Sequence, residues 1–168
     1  MAPTTKAARV PASVRLGLPV ALAVLIFDQL SKLWLISLVA EHEAVRLLPF
    51  FNLVMVWNTG VSFGMLGAAA VGPWPFVVVS GLITVGLLVW LWRLRGRLLA
   101  AAVGAVIGGA VGNMIDRIAY GAVADFFDFH LMGYHWPAFN VADAAIVVGV
   151  AAIILEAFLG QRRPEASN

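Results

Sequence analysis

Four long apolar stretches divide the chain. They run from Leu16 to Val39, from Trp74 to Trp92, from Leu98 to Ile115 and from Val141 to Leu159. Crossing a bilayer takes roughly 20 mostly apolar residues. Lipid offers no partner to an unpaired backbone group, so each stretch predicts a spanning α-helix. The first carries Asp28 and Lys32 inside it, and the second has no charge. The third ends at Asp116-Arg117, and the fourth opens near Asp143. Between the first two, residues 50–57 are rich in strand formers and predict a short strand. Asn58-Thr59-Gly60 then reads as a turn. Residues 123–129 alternate less cleanly and fit a short strand or an interfacial helix turn. The pattern predicts an all-α membrane protein of four transmembrane helices with a small outward-facing, β-rich interfacial segment. Residues 16–160 form one transmembrane domain between tails at 1–15 and 161–168.

Composition agrees and narrows the choice. Of the 168 residues 62% are hydrophobic and 12% charged, against about 25% charged in an ordinary soluble domain. That balance excludes a soluble enzyme, a disordered tail and a nucleic-acid-binding module. Zero cysteines exclude disulfides and thiolate metal sites. Three scattered histidines, His42, His130 and His135, argue against a dedicated metal site. No metal and no cofactor are therefore expected.

Placement of charge sets the orientation. Lys6, Arg9 and Arg15 precede the first stretch, Arg93, Arg95 and Arg97 lie between the second and third, and Arg162 and Arg163 follow the fourth. The positive-inside rule then puts both termini in the cytoplasm and the loops at 40–73 and 118–140 outside. The first stretch is too long for a cleaved signal, and Asp28 and Lys32 would interrupt such a signal's apolar core. No internal repeat suggests the inverted halves common in transporters.

A charge within a span costs at least about 2.5–3.5 kcal/mol on insertion scales, so each needs a partner or a task. Asp28 and Lys32 stand four apart on one helix face, as a self-neutralising pair or one that also orients an outward site. Asn113, Asp116 and Arg117 share a face, behind the small-residue run Gly108-Gly109-Ala110-Val111-Gly112 that permits close helix approach. An Asp/Arg pair at the membrane edge is the plain reading. Asn140 is a good N-cap, with Asp143 in the first turn of the fourth helix. Asp143 sits at the same membrane face as Asp125 and Asp128. Two carboxylates brought close hold a single proton between them, which is aspartyl-protease chemistry. Spacing does not choose between Asp125 and Asp128. A small polytopic transporter and a non-catalytic membrane assembly factor are the alternatives.

Five blocks then occur in order: Asp28-Gln29-Leu30-Ser31-Lys32; Asn58-Thr59-Gly60 followed by Phe63-Gly64; Gly108 through Asn113 to Asp116-Arg117; Val123-Ala124-Asp125-Phe126; and Phe139-Asn140-Val141-Ala142-Asp143. In this order, over about residues 16–160, the chain resembles the lipoprotein signal peptidase (signal peptidase II) family. The resemblance implies a membrane aspartyl endopeptidase of the bacterial cytoplasmic (inner) membrane. It would cut the signal peptide from a diacylglyceryl-modified prolipoprotein just before the lipidated cysteine, near the outer face. By motif position it assigns the catalytic pair to Asp125 and Asp143, which decides against Asp128. Asp28, Lys32, Asn58, Gly60, Asn113, Arg117 and Asn140 fall on polar or turn positions around substrate and dyad. Asp116 falls on an acid in a supporting ion pair. Implied partners are prolipoprotein substrates, membrane lipid and globomycin-type inhibitors, with a monomer sufficient.

Overall fold

The computed structural model describes residues 9–39, 44–60 and 72–160. His42 and the Phe63-Gly64 block lie outside the described residues. The elements follow in the order α1 (Ala12–Leu38), β1 (Val45–Leu48), β2 (Phe51–Asn58), α2 (Trp74–Arg93), α3 (Arg97–Tyr120), β3 (Val123–Leu131), β4 (Tyr134–His135) and α4 (Val141–Gly160). The shortest helices have 20 residues, which at about 1.5 Å per residue spans a hydrocarbon core. All four are long and apolar enough to cross a membrane.

Local chemistry sets the ends. Pro75 lies in the first turn of α2, where its missing N–H costs no helical bond. Gly121 ends α3 in the left-handed region, φ 77°, with its N–H donating to the Arg117 carbonyl at 3.1 Å. Two helices overrun their apolar stretches. α1 starts four residues before Leu16, and α3 continues five residues past Ile115. The α3 extension carries Asp116 and Arg117 and is tolerable because their polar groups are largely partnered, as described below.

α3 is the central helix and packs against the other three. Gly104, Gly108 and Gly112 recur every fourth residue and so share one face. A Cβ on Gly104 would strike the backbone of Gly17, and one on Gly108 the Ala21 carbonyl. Gly109 stands against the Ala142 carbonyl of α4 in the same way. The bundle is therefore held by backbone-to-backbone approach, the mode available where lipid removes the hydrophobic driving force between helices. Leu22, Phe27, Leu82 and Val147 stand exposed on the outside of the bundle, the surface acyl chains would cover.

Ser13 Oγ donates to the Leu91 carbonyl at 2.7 Å. The start of α1 thus meets the end of α2, and the four helices alternate in direction. The strands all connect helices at the opposite end. They form an antiparallel sheet in the order β1-β2-β3-β4, with Asn52 opposite Asp128, Val56 opposite Asp125 and Asn58 opposite Val123. The register slips between Leu53 and Val56, a bulge in β2. Leu53, Met55, Ala124 and Phe126 bury the sheet on Leu35 and Val39 at the end of α1. The strand expected at 50–57 is β2, and the ambiguous segment at 123–129 is a strand. β1 went unread because all four of its residues are exposed and none alternates. The β3–β4 turn runs through Met132 and Gly133, both at positive φ (50° and 84°), as a two-residue hairpin turn needs.

Candidate active site

Polar side chains from α1, α3, α4, β2 and β3 converge where the bundle meets the sheet. The inner cluster centres on Lys32. Its Nζ lies 2.8 Å from Asp28 Oδ2, 2.8 Å from Asp116 Oδ2 and 3.0 Å from Asn113 Oδ1. One ammonium thus serves two carboxylates, and all three side chains are almost fully buried. Such charges are tolerable in a span only with every lone pair and proton used. Both oxygens of each carboxylate have a donor. Ala142 N–H donates to Asp28 Oδ1 at 2.9 Å, tying α1 to the first turn of α4. Ala124 N–H donates to Asp116 Oδ2 at 3.2 Å, tying β3 to α3. Gln29 Nε2 donates to Asp28 Oδ2 at 3.1 Å and to Asp116 Oδ1 at 3.0 Å. Asp116 therefore pairs with Lys32. The Asp116/Arg117 pair read from the sequence does not form, because successive residues on a helix point about 100° apart.

Above this cluster lie the two carboxylates of interest, joined by amides. Asn140 Nδ2 donates to Asp125 Oδ1 at 2.7 Å, and Asn58 Nδ2 donates to Asp125 Oδ2 at 2.9 Å. Asn113 Nδ2 donates to Asp143 Oδ1 at 2.7 Å. Asn140 caps α4. Its Oδ1 accepts from Asp143 N–H at 2.9 Å, while its own N–H donates to Asp143 Oδ2 at 3.3 Å. This is a reciprocal capping box built from Asn and Asp. Asn140 Nδ2 also donates to Asn113 Oδ1 at 3.2 Å, so Asn113 and Asn140 form the bridge between the acids. Arg117 Nη1 donates to the Asn113 carbonyl at 3.2 Å, and the charges of both acids act on its guanidinium. Gly60 N–H donates to Asn58 Oδ1 at 2.8 Å, fixing the turn that aims Asn58.

Burial pushes the Asp125 carboxyl up to about 7. The neighbouring Asp143 charge adds to the rise, while the Asn58 and Asn140 hydrogen bonds and the Lys32 charge oppose it. Asp128 is held elsewhere. Three residues along a strand reverse the side-chain face, and Asp128 bonds His135 Nδ1 at 2.8 Å and Asn52 Nδ2 at 2.8 Å. Burial pushes its carboxyl up, but those two hydrogen bonds and the histidine charges outweigh this and hold it below the ordinary value.

The structure thus brings Asp28, Lys32, Asn58, Gly60, Asn113, Asp116, Arg117, Asp125, Asn140 and Asp143 to one region. Gln29 belongs with them and received no role from the sequence. An amide inside an apolar span, adjacent to an acid, was the signal available. Among the described residues, no group of three or more His, Cys, Asp or Glu is arranged to hold a metal ion. What the arrangement offers is two carboxylates of unequal environment, Asp125 buried and Asp143 half-buried.

A family model described as signal peptidase II matches residues 20–159. The lipoprotein signal peptidase of Beijerinckia indica subsp. indica is 48% identical over 140 residues, covering 82% of this chain and 84% of that protein. The lipoprotein signal peptidase of Methylorubrum extorquens is 49% identical over 145 residues, covering 84% and 85%. A solved bacterial membrane enzyme, determined by the in meso method at 2.3 Å resolution, superposes with a TM-score of 0.79 at 26% identity, covering 90% of this chain and 93% of that one. Family match, relatives and fold agree: the chain belongs to the signal peptidase II family, a family of multi-pass bacterial membrane proteases.

Proposed function

We propose that this chain is an aspartyl endopeptidase that removes the signal peptide from diacylglyceryl-modified prolipoproteins, cutting before the lipidated cysteine. Asp125 and Asp143 are the catalytic pair. Asp125, the more buried and with its carboxyl raised, carries the shared proton. Asp143, at the positive end of the α4 dipole and held by the Asn113 amide, acts as the base. Asp143 takes a proton from water, whose oxygen attacks the scissile carbonyl carbon. Asp125 gives its proton to the carbonyl oxygen. When the tetrahedral species collapses, a hydroxyl proton returns to Asp125 as the C=O re-forms, the C–N bond breaks, and the proton on Asp143 passes to the cysteine nitrogen. Asn58, Asn113, Asn140 and Arg117 hold the pair and the substrate's polar groups, with Asp28, Lys32 and Asp116 as their buried support.

The observation that carries this reading is Asn140. One residue donates to Asp125 and closes a capping box with Asp143, so the two acids are held as a unit. Both termini are cytoplasmic, and the pair lies near the outer face of the inner membrane. There the signal helix and acyl chains stay in lipid while the peptide bond meets the acids. A monomer suffices, and globomycin-type inhibitors occupy the same site. The test is cleavage of a diacylglyceryl-modified prolipoprotein by purified protein with a chelator present. Wild type is expected to cut, and Asp125→Asn and Asp143→Asn to lose about 10²–10⁴-fold or more in rate. Cleavage by either variant at the wild-type rate would overturn the assignment.

A further inference from the structure

Two supports of the carboxylate pair meet at one ring that the mechanism above does not use. Phe76 lies in the first turn of α2, the helix without a charge in its apolar stretch. On one side it abuts Gly60. A Cβ there would come within 2.9 Å of the ring's Cζ, and Gly60 itself has φ 83°. The ring therefore seats the turn from which Asn58 reaches Asp125. On the other side the Arg117 guanidinium lies 5.3 Å from the ring centroid, within cation–π range. Arg117 Nη1 has the Asn113 carbonyl as acceptor, but its buried Nε has no hydrogen-bond partner among the described residues. A guanidinium with a donor unused is held in part by the aromatic face.

We propose that Phe76 is a positioning residue. Its ring keeps the Arg117 guanidinium turned toward Asp125 and Asp143 and seats the Asn58–Gly60 turn beside Asp125. The inference rests on the reading of those two acids as the reacting pair. The charges that act on Arg117 are Asp116 from its own helix, Asp125 from β3 and Asp143 from α4; Lys32 of α1 is the other cation near the pair. Without the ring, Arg117 leaves the acids and their ionised forms lose a favourable charge. Both limbs of the rate profile then move to higher pH.

The experiment compares Phe76→Leu and Phe76→Tyr in the full-length enzyme, with Leu82→Ala on the exposed side of α2 as control. Leucine fills much of the space but has no π face, and tyrosine keeps the face. Phe76→Leu is expected to lower kcat by about 2- to 30-fold, the rate equivalent of a cation–π contact. KM should change little, and both pH limbs should shift upward. Phe76→Tyr should recover most of the rate and the original profile. A Phe76→Leu enzyme with wild-type kcat and unshifted limbs overturns the inference, and so does a tyrosine variant as impaired as leucine. Asp125→Asn and Asp143→Asn belong in the same series. If they still cut, the reading of the pair fails irrespective of Phe76.

Discussion

Asn140 shows how one side chain can set a site at the residue scale. Its amide and carbonyl ends face different acids, and neither end has a free choice of rotamer. Its companions on Asp125 and Asp143 come from β2 and α3. The result is asymmetric, with Asp125 buried and pushed up to about 7 and Asp143 on a helix N-terminus. An acid whose folded value lies above its unfolded 3.8 keeps its proton until pH passes the higher value. If Asp125 donates that proton, the cleavage rate falls as pH rises through about 7. A profile flat between about pH 6 and about pH 9 would refute the assignment of the proton to Asp125. Much at this scale was legible in the sequence, since apolar spans make every polar residue conspicuous. What spacing left open was Asp125 against Asp128. The strand pleat separates them, but a segment read as either strand or helix turn does not yet have a pleat. Phe76 was illegible for a different reason: its meaning lies in contacts with Gly60 and Arg117, far from it in the chain; for Gln29 the only signal was an amide beside Asp28 in an apolar span.

At the scale of elements, the glycines of α3 do the work that large side chains do in soluble cores. Gly104 and Gly108 bring α3 against the α1 backbone, and Gly109 brings it against α4. This closeness lets a short Asp28 reach the Ala142 amide. Gly108→Leu is expected to destabilise the bundle by about 1–3 kcal/mol through overpacking. Gly86→Leu, with nothing within 4 Å of its Cβ position, should leave stability unchanged. Thermal unfolding in detergent measures both, and equal midpoints would contradict the packing account. The small-residue run was visible in the sequence as a packing face. Which helices it met was not, because one helix presents separate glycines to two neighbours. β1 was missed since its exposed residues bury nothing and so leave no period to read.

At the scale of the molecule, all four helices follow from hydropathy, while strand propensity marks β2, leaves 123–129 open and does not mark β1 or β4. The element order and the matched solved structure agree with that reading. The direction of insertion rests on the basic residues, and the chain offers a clean test. It has no cysteine, so single replacements report without background. Arg46→Cys in β1 should react with a membrane-impermeant maleimide added to spheroplasts, and Arg95→Cys only after lysis. The reverse pattern would invert the topology. The capping of α4 by Asn140 also bears on biosynthesis. Asp125 emerges from the ribosome before the last span, but Asn140, Asp143 and the Ala142 amide arrive with it. Until α4 docks, Asp125 has Asn58 but lacks the Asn140 amide, Asp143 has no cap, and Asp28 Oδ1 lacks the Ala142 N–H. If Asp125 and Asp143 are the reacting pair, the peptidase is mute during its own insertion and gains its chemistry in the step that completes the bundle. Under that assignment a half-built molecule leaves uncut the signal segments passing beside it in the same membrane.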